Sequence, residues 1–299
     1  MSGEADFIVA LRSLASHPAA RGLADDCAVL EVGGETLILT HDMMVEGVHW
    51  LPGQDPADIA WKLVAVNLSD LASKGAEPLG ILLGYSLGED NLRFIEGLRE
   101  ALAAFAVPLL GGDTVGGGAV QAHGLTAIGR ATCHPVPSRS GARAGDTVWL
   151  TGPVGAAMLG FDAVNCGLDD DANRQAFCRP VPLLAEGRML APLITAMMDV
   201  SDGLLLDASR LAAASGVTLA LDRNAIPLAA GVALTGRADE ALRWGDDYEL
   251  LFTLPPGSQP AVSASAIGEV REAGAVALLL DGSPPDPVLP LGYLHRSPS

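Results

Sequence analysis

Apolar and polar positions divide the chain into alternating elements. Residues 4–16 carry a helical period, and "CAVLEV" (27–32) and "TLILT" (36–40) are two strand-like runs around the turn "GGE". From Pro56 to Lys74 apolar residues recur every three to four positions, with Asp55-Pro56 as a start signal and Gly75 as a stop. "LGILLGYSL" (79–87) predicts a strand, 90–105 a helix, "VPLLGG" (107–112) a strand, and "AVQAHGLTAIGRA" (119–131) a long strand closing the first half. A stretch rich in Pro, Gly, Ser and Arg, 134–146, marks a boundary.

The second half opens with the strand "TVWLTG" (147–152) and the helix "VGAAMLGFDAV" (154–164). An acidic loop (168–173) and the segment 179–190 follow. The strand "TAMMDV" (195–200), a helix over 202–215 and the strand "VTLAL" (217–221) come next. "DDYELLFTL" (246–254), "AVSASAIGEV" (261–270) and "AVALLL" (275–280) read as further strands, and the tail from 284 as irregular. Strands alternating with helices in both halves predict an α/β (α+β) protein of two domains, 1–135 and 136–299.

Composition narrows the function classes. The 299 residues are 49% hydrophobic, enough for sizeable cores, yet no run approaches the ~20 apolar residues of a membrane span. The N-terminus carries Glu4 and Asp6 where a secretory signal would be basic. Four scattered cysteines (27, 133, 166, 178) offer neither a disulfide framework nor a thiolate zinc site, so a cytoplasmic location is expected. A net charge of −18 argues against nucleic acid. The two lysines, Lys62 and Lys74, do not follow a P-loop glycine pattern, so any nucleotide must be held another way.

Aspartates recur where strands end beside small residues: Asp25-Asp26, Asp42, Asp113, Asp199, Asp202 and Asp246-Asp247. Asp70 shares a polar stripe with Asn67 and Lys74 on the 56–74 helix. Taken singly, each is an ordinary turn residue, helix cap or solvated face. Taken together, they would repel if they converged, by about 3 kcal/mol per pair at ~5 Å and an effective dielectric of ~20. Only bound cations make such a cluster tolerable, and oxygen-only donors favour magnesium, calcium or manganese. Zinc at His41, Glu46 and His49 lacks a further soft ligand. Bridging Mg²⁺ ions would also let an acidic protein bind polyphosphate, with glycine-rich backbone beside Asp113 and Arg139 touching phosphate oxygens.

Six motifs in order, "THDMMVEGVHW", "NLSDLASKGAEP", "LLGGDT", "RSGARAGD", "MMDVSDGL" and "GDDYELLF", resemble those of the thiamine-monophosphate kinases. These kinases belong to the superfamily of aminoimidazole ribonucleotide synthetase, and the resemblance runs from about residue 20 to the tail. It implies a two-domain fold of that type, with an N-terminal mixed-sheet domain that dimerises and a C-terminal α/β domain. It also implies direct in-line phosphoryl transfer from ATP to thiamine monophosphate. Carried over by position, Asp25, Thr40, His41, Asp42, Asp70, Asp113, Asp199 and Asp202 resemble ligands of several Mg²⁺ ions. Gly112, Asp113, Arg139 and Ser201 resemble nucleotide contacts, and His49, Asp246 and Tyr293 the substrate's surroundings. The chain departs from the family pattern at Ala24 (usually Gly), Asp246 (usually Glu) and His41 (usually a small hydroxyl residue). A sister enzyme that uses ATP to activate an amide, and a non-catalytic nucleotide or thiamine-phosphate binder, are the alternatives. For that reaction a phosphate monoester is already nucleophilic near neutral pH, so positioning and charge neutralisation suffice, and no covalent intermediate, no dedicated general base and therefore no catalytic side chain as such are expected.

Overall fold

The computed structural model describes residues 4–118 and 120–295. The first half is built on a five-stranded sheet of order β1-β2-β5-β3-β4. Its strands are β1 (Ala28–Val32), β2 (Glu35–Val45), β3 (Ala76–Leu87), β4 (Leu109–Gly116) and β5 (Ala122–Ala131). Only the β3–β4 pair is parallel. Three helices accompany it: α1 (Glu4–Arg12), α2 (Pro56–Ser73) and α3 (Asn91–Ala104). Alternation along β2 turns Ile38, Thr40, Asp42 and Met44 inward and His41 and Met43 outward.

The second half carries a six-stranded sheet of order β11-β8-β10-β6-β9-β7. Its strands are β6 (Thr147–Leu150), β7 (Ala196–Asp199), β8 (Thr218–Leu221), β9 (Leu250–Leu254), β10 (Ser265–Arg271) and β11 (Leu278–Leu280). Helices α4 (Ala156–Cys166), α5 (Asp171–Cys178), α6 (Leu184–Leu190) and α7 (Leu204–Ser215) surround it. Two one-turn helices, α8 (Val232–Thr235) and α9 (Ala238–Ala241), precede β9. Strands β7, β8 and β9 are buried throughout; their side chains are apolar except for Asp199, Thr218 and Thr253.

Helix α2 joins the two halves. Asp55 caps it by accepting from the Ala57 N–H at 3.0 Å, and Pro56 fills the first turn, where no N–H is needed. Of its 18 residues, 14 are buried, because β2 and β5 cover one side while α6 and β7 cover another. Leu63, Val64 and Leu68 enter the first core, and Ala72 enters a cluster with Trp149, Met197 and Phe252 of the second half. Gly187 of α6 permits that close approach: a Cβ there would meet the Ala72 carbonyl oxygen at 2.0 Å.

Three local expectations are corrected, and one segment without an expected element is filled. Strand β2 continues past Thr40 to Val45, so the ionisable residues after "TLILT" are inside a strand. The acidic 168–173 stretch is partly helical, because the Asp170 carboxylate accepts from the Asn173 N–H and starts α5. Residues 179–190 contain α6. The strand expected from 246 begins at Leu250; Asp246 and Tyr248 sit at φ 67° and 51°, outside extended geometry. No helix among the described residues is long and apolar enough to cross a membrane.

Candidate active site

Between the halves lies a cleft of about 720 Å³ with two chemically distinct ends. At one end carboxylates converge from four elements. Asp26 precedes β1, Asp42 lies on the inward face of β2, Asp70 on α2 and Asp199 at the end of β7. Oxygens of Asp26, Asp70 and Asp199 lie within 4.8 Å of one another, an arrangement suited to a metal ion. Each is anchored from behind. Thr40 donates its hydroxyl to Asp70, Ser69 donates to Asp199 at 2.6 Å, and Asn67 accepts from the Asp42 N–H at 3.0 Å. The neighbouring turn is fixed by Asp207, fully buried on α7, which accepts from the N–H groups of Ser201 and Asp202 at 3.1 and 3.0 Å. Arg210 then bridges Asp202 (2.5 Å) and Asp207 (3.0 Å).

The electrostatics follow from burial and crowding. Burial, followed by the charges of Asp26 and Asp202, pushes the Asp42 carboxyl up to about 6. Burial and Asp26 push Asp199 up to about 7 against the opposing Ser69 hydrogen bond. Asp70 is raised by burial, Asp42 and Asp199. For Asp25 and Asp26 burial acts in the same upward sense but is outweighed. Lys74 holds Asp25 below the usual carboxylate range, and Arg139 with Lys74 does the same for Asp26. Of the four clustered carboxylates only Asp26 is paired with cations, Lys74 and Arg139, and the remaining excess of negative charge forms a site that a hard dication fits: every donor is oxygen.

The other end is aromatic. His49 accepts from the Val45 N–H through Nδ1 at 3.0 Å, which places its proton on Nε2 when neutral; burial lowers its pKa. Its ring stacks on His295 at 5.5 Å, and Tyr293 meets His295 edge-on at 5.0 Å. Phe161 contacts both Phe177 and Trp244. Lys62, fully buried, reaches Asp246 (2.8 Å) and the His49 carbonyl (3.1 Å) and lies 3.9 Å over the Phe177 ring. Tyr248 donates to the other oxygen of Asp246 at 2.8 Å, so both oxygens of that carboxylate are already engaged.

The cleft therefore gathers Asp25, Asp42, Asp70, Asp199, Asp202, Arg139, Ser201, His49, Asp246 and Tyr293 along its walls, with Thr40 directly behind Asp70. Within that group the adjacent pair exchanges roles: Asp26, not Asp25, joins the carboxylate cluster, while Asp25 faces Lys74 and Arg21. Arg139 reaches the cleft through its bond to Asp26.

Three residues lie elsewhere. His41 points to the outer face of β2, where its Nδ1 meets the Thr126 hydroxyl at 2.9 Å over a space left by Gly124. Its ring is thus excluded from this chain's carboxylate cluster. Gly112 and Asp113 are exposed on β4. The register Asp42–Leu125–Leu83–Gly112 puts them three strands, roughly 14 Å, from Asp42. Sequence reasoning counted Asp26 among the recurring aspartates but not among the metal ligands, and it missed Lys62, Lys74, Asp207 and Tyr248 as parts of the site. A lysine pair on an otherwise apolar helix was the one legible signal among them.

Comparison with known proteins agrees with this architecture. The family model "AIR synthase related protein, N-terminal domain" matches residues 24–131, and its C-terminal counterpart matches 143–280. A thiamine-monophosphate kinase of Salmonella typhimurium is 36% identical over 267 residues, 83% of this chain and 80% of the relative. One from Caulobacter vibrioides is 36% identical over 305 residues, covering 93% and 86%. A solved structure described as AaThiL complexed with AMPPCP and TMP superposes with a TM-score of 0.88 at 28% identity, covering 98% of this chain and 97% of that one.

Proposed function

The chain belongs to the thiamine-monophosphate kinases of the AIR synthase related family, and from that premise we infer what each end of its cleft does. It is an ATP-dependent kinase that phosphorylates thiamine monophosphate to thiamine diphosphate. The observation that carries this reading is one cleft joining a carboxylate cluster to an aromatic, histidine-lined chamber. The first suits the metal-bound triphosphate of ATP, and the second suits a flat, cationic heterocycle.

Mg²⁺ fits the cluster, with Asp26, Asp42, Asp70, Asp199 and Asp202 as its holders; bound there, it neutralises phosphate charge and orients the triphosphate. The chain's own residues do the rest. Arg139, fixed on Asp26, offers its remaining guanidinium donors to a phosphate oxygen, and Ser201 presents its hydroxyl on a turn clamped by Asp207. His49 directs Nε2–H into the chamber, and Tyr293 and His295 form its aromatic wall. Asp246, saturated by Lys62 and Tyr248, shapes the chamber floor. An acceptor phosphate monoester is already nucleophilic near neutral pH, so positioning and charge neutralisation suffice and no general base is assigned.

We assign Gly112, Asp113 and the His41 face to a homodimer. Met43, Leu82, Leu110 and Val115 are exposed on or beside the outer face of the first sheet, and that much apolar surface suits a second copy of the chain. There Gly112 and Asp113 would serve the partner's nucleotide. Mixing Asp42→Asn with Asp113→Asn protein and allowing exchange then restores about a quarter of wild-type activity, since half the dimers regain one intact site. No recovery on mixing assigns Asp113 elsewhere. We place the boundary between the units at 135/136 and the protein in the cytoplasm, in keeping with four free cysteines.

The direct test is ADP release from Mg-ATP with thiamine monophosphate, against thiamine and formylglycinamidine ribonucleotide as acceptors. Turnover with thiamine monophosphate alone is expected; preference for either competitor overturns the assignment.

A further inference from the structure

Lys74 does not line the cleft, yet it is fully buried at the C-terminal end of α2 against carboxylates beside the cleft. Its Nζ meets Asp25 Oδ1 at 2.5 Å, Asp26 Oδ2 more closely, and the Met197 carbonyl at 3.5 Å. The side chains of Asp25 and Asp26 are 2% and 1% exposed, so water screens none of these charges. Asp26 is also the carboxylate whose oxygen lies within 4.8 Å of those of Asp70 and Asp199. A lysine is not required here by packing: an unbranched methionine would occupy nearly the same volume. Burying an ammonium is unfavourable unless opposite charge faces it, and here two carboxylates do.

We propose that Lys74 is a resident counter-cation of the carboxylate cluster, a positioning residue that fixes Asp25 and Asp26 before any metal arrives. It reduces by one the positive charge that must come from solution. The proposal rests on the reading of the cluster as a Mg²⁺ site, and its test separates the two.

Thermal unfolding of the full chain is measured in EDTA and in MgCl₂ with AMPPCP. In EDTA the Lys74→Met variant is expected to melt roughly 10 °C below wild type, the scale of removing one partner from a buried ion pair. In MgCl₂ with AMPPCP that deficit falls to less than half, because a dication gains more from an uncompensated cluster than from a compensated one. Leu219→Ala, a core variant in the second sheet, keeps a constant deficit. With Lys74 gone, Asp25 keeps Arg21 and Asp26 keeps Arg139, but the site as a whole carries one more negative charge; adding Asp25→Asn to Lys74→Met returns that net charge to its wild-type value and restores at least half of the loss seen in EDTA. A space-filling lysine predicts no such rescue. Should Lys74→Met fail to fold in EDTA, refolding with MgCl₂ and AMPPCP reads the same question: recovery supports the proposal and continued failure overturns it. A deficit equal in both conditions, or a double variant no more stable than the single one, also overturns it. If wild type gains no stability from MgCl₂ with AMPPCP, the metal reading itself fails. If wild type gains and the gap does not narrow, only the role of Lys74 falls.

Discussion

The two ends of the cleft are held by the same helix through opposite chemical logic. Toward the N-terminal part of α2, Lys62 meets one partly exposed carboxylate, Asp246, and an aromatic face. Past the last turn, Lys74 meets two fully enclosed carboxylates beside a cluster that remains short of positive charge. The first end is complete as it stands: every oxygen of Asp246 has a donor. The second end is left electrostatically unfinished, which is what a site for dications requires. Finished charge suits recognition of a neutral or cationic ring; unfinished charge suits the neutralisation of phosphates.

That contrast can be broken at either end. Asp42→Asn keeps shape and removes charge from the unfinished end; turnover is expected to fall by roughly 10³-fold, on the scale of losing a preorganised electrostatic partner. Near-normal kcat would remove the metal scheme. At the finished end, Lys62→Met should cost about 1–3 kcal/mol in urea unfolding, because Asp246, only partly exposed, loses its cation. A loss under ~0.5 kcal/mol would show the pair to be electrostatically idle. His49→Ala is expected to raise the KM for thiamine monophosphate by ~10-fold, with the ATP KM shifting less than ~2-fold. The reverse order would move His49 to the nucleotide side.

The smallest effect concerns support behind the aromatic end. His123 is stacked between Trp50 (5.3 Å) and Tyr85 (4.6 Å), and burial lowers its pKa to about 4. An unfolded chain carries the histidine near ~6.5. Between these values the unfolded state binds a proton that the folded state refuses, so stability falls as pH drops from about 6.5 to 4. His123→Phe should flatten part of that slope in unfolding measured at pH 4.5 and 7. An unchanged slope assigns it to carboxylates alone.

Much of this was legible in the chain, and the failures have physical causes. The period and caps of α2 were plain because propensity, start signal and packing agree. The recurring strand-end aspartates announced a place where carboxylates converge, and Asp26, Asp70 and Asp199 do so; that Lys74, Arg139 and Arg210 supply part of the balancing charge was not legible. Which of Asp25 and Asp26 joins it was not legible: Lys74 meets both, while Arg21 engages only Asp25 and Arg139 only Asp26, partners that the local sequence does not disclose. The polar stripe of Asn67, Asp70 and Lys74 looked like a solvated helix face, yet Asn67 and Lys74 are fully buried because a second domain covers the helix. His41 beside Asp42 looked like a shared ligand set, but strand alternation sends them to opposite faces once β2 continues through both. Asp207 left no signal at all, since its role is to accept two backbone N–H groups across a turn.

A helix enclosed by two cores has a mechanical consequence. Swinging one half against the other would expose apolar surface on both flanks of α2, so hinge rotation is a poor way to open this enzyme. Admission and escape of ligands therefore fall to the loop segments that line the cleft, 47–49 and 292–295. Amide exchange should find α2 among the slowest segments and those two stretches among the fastest to open.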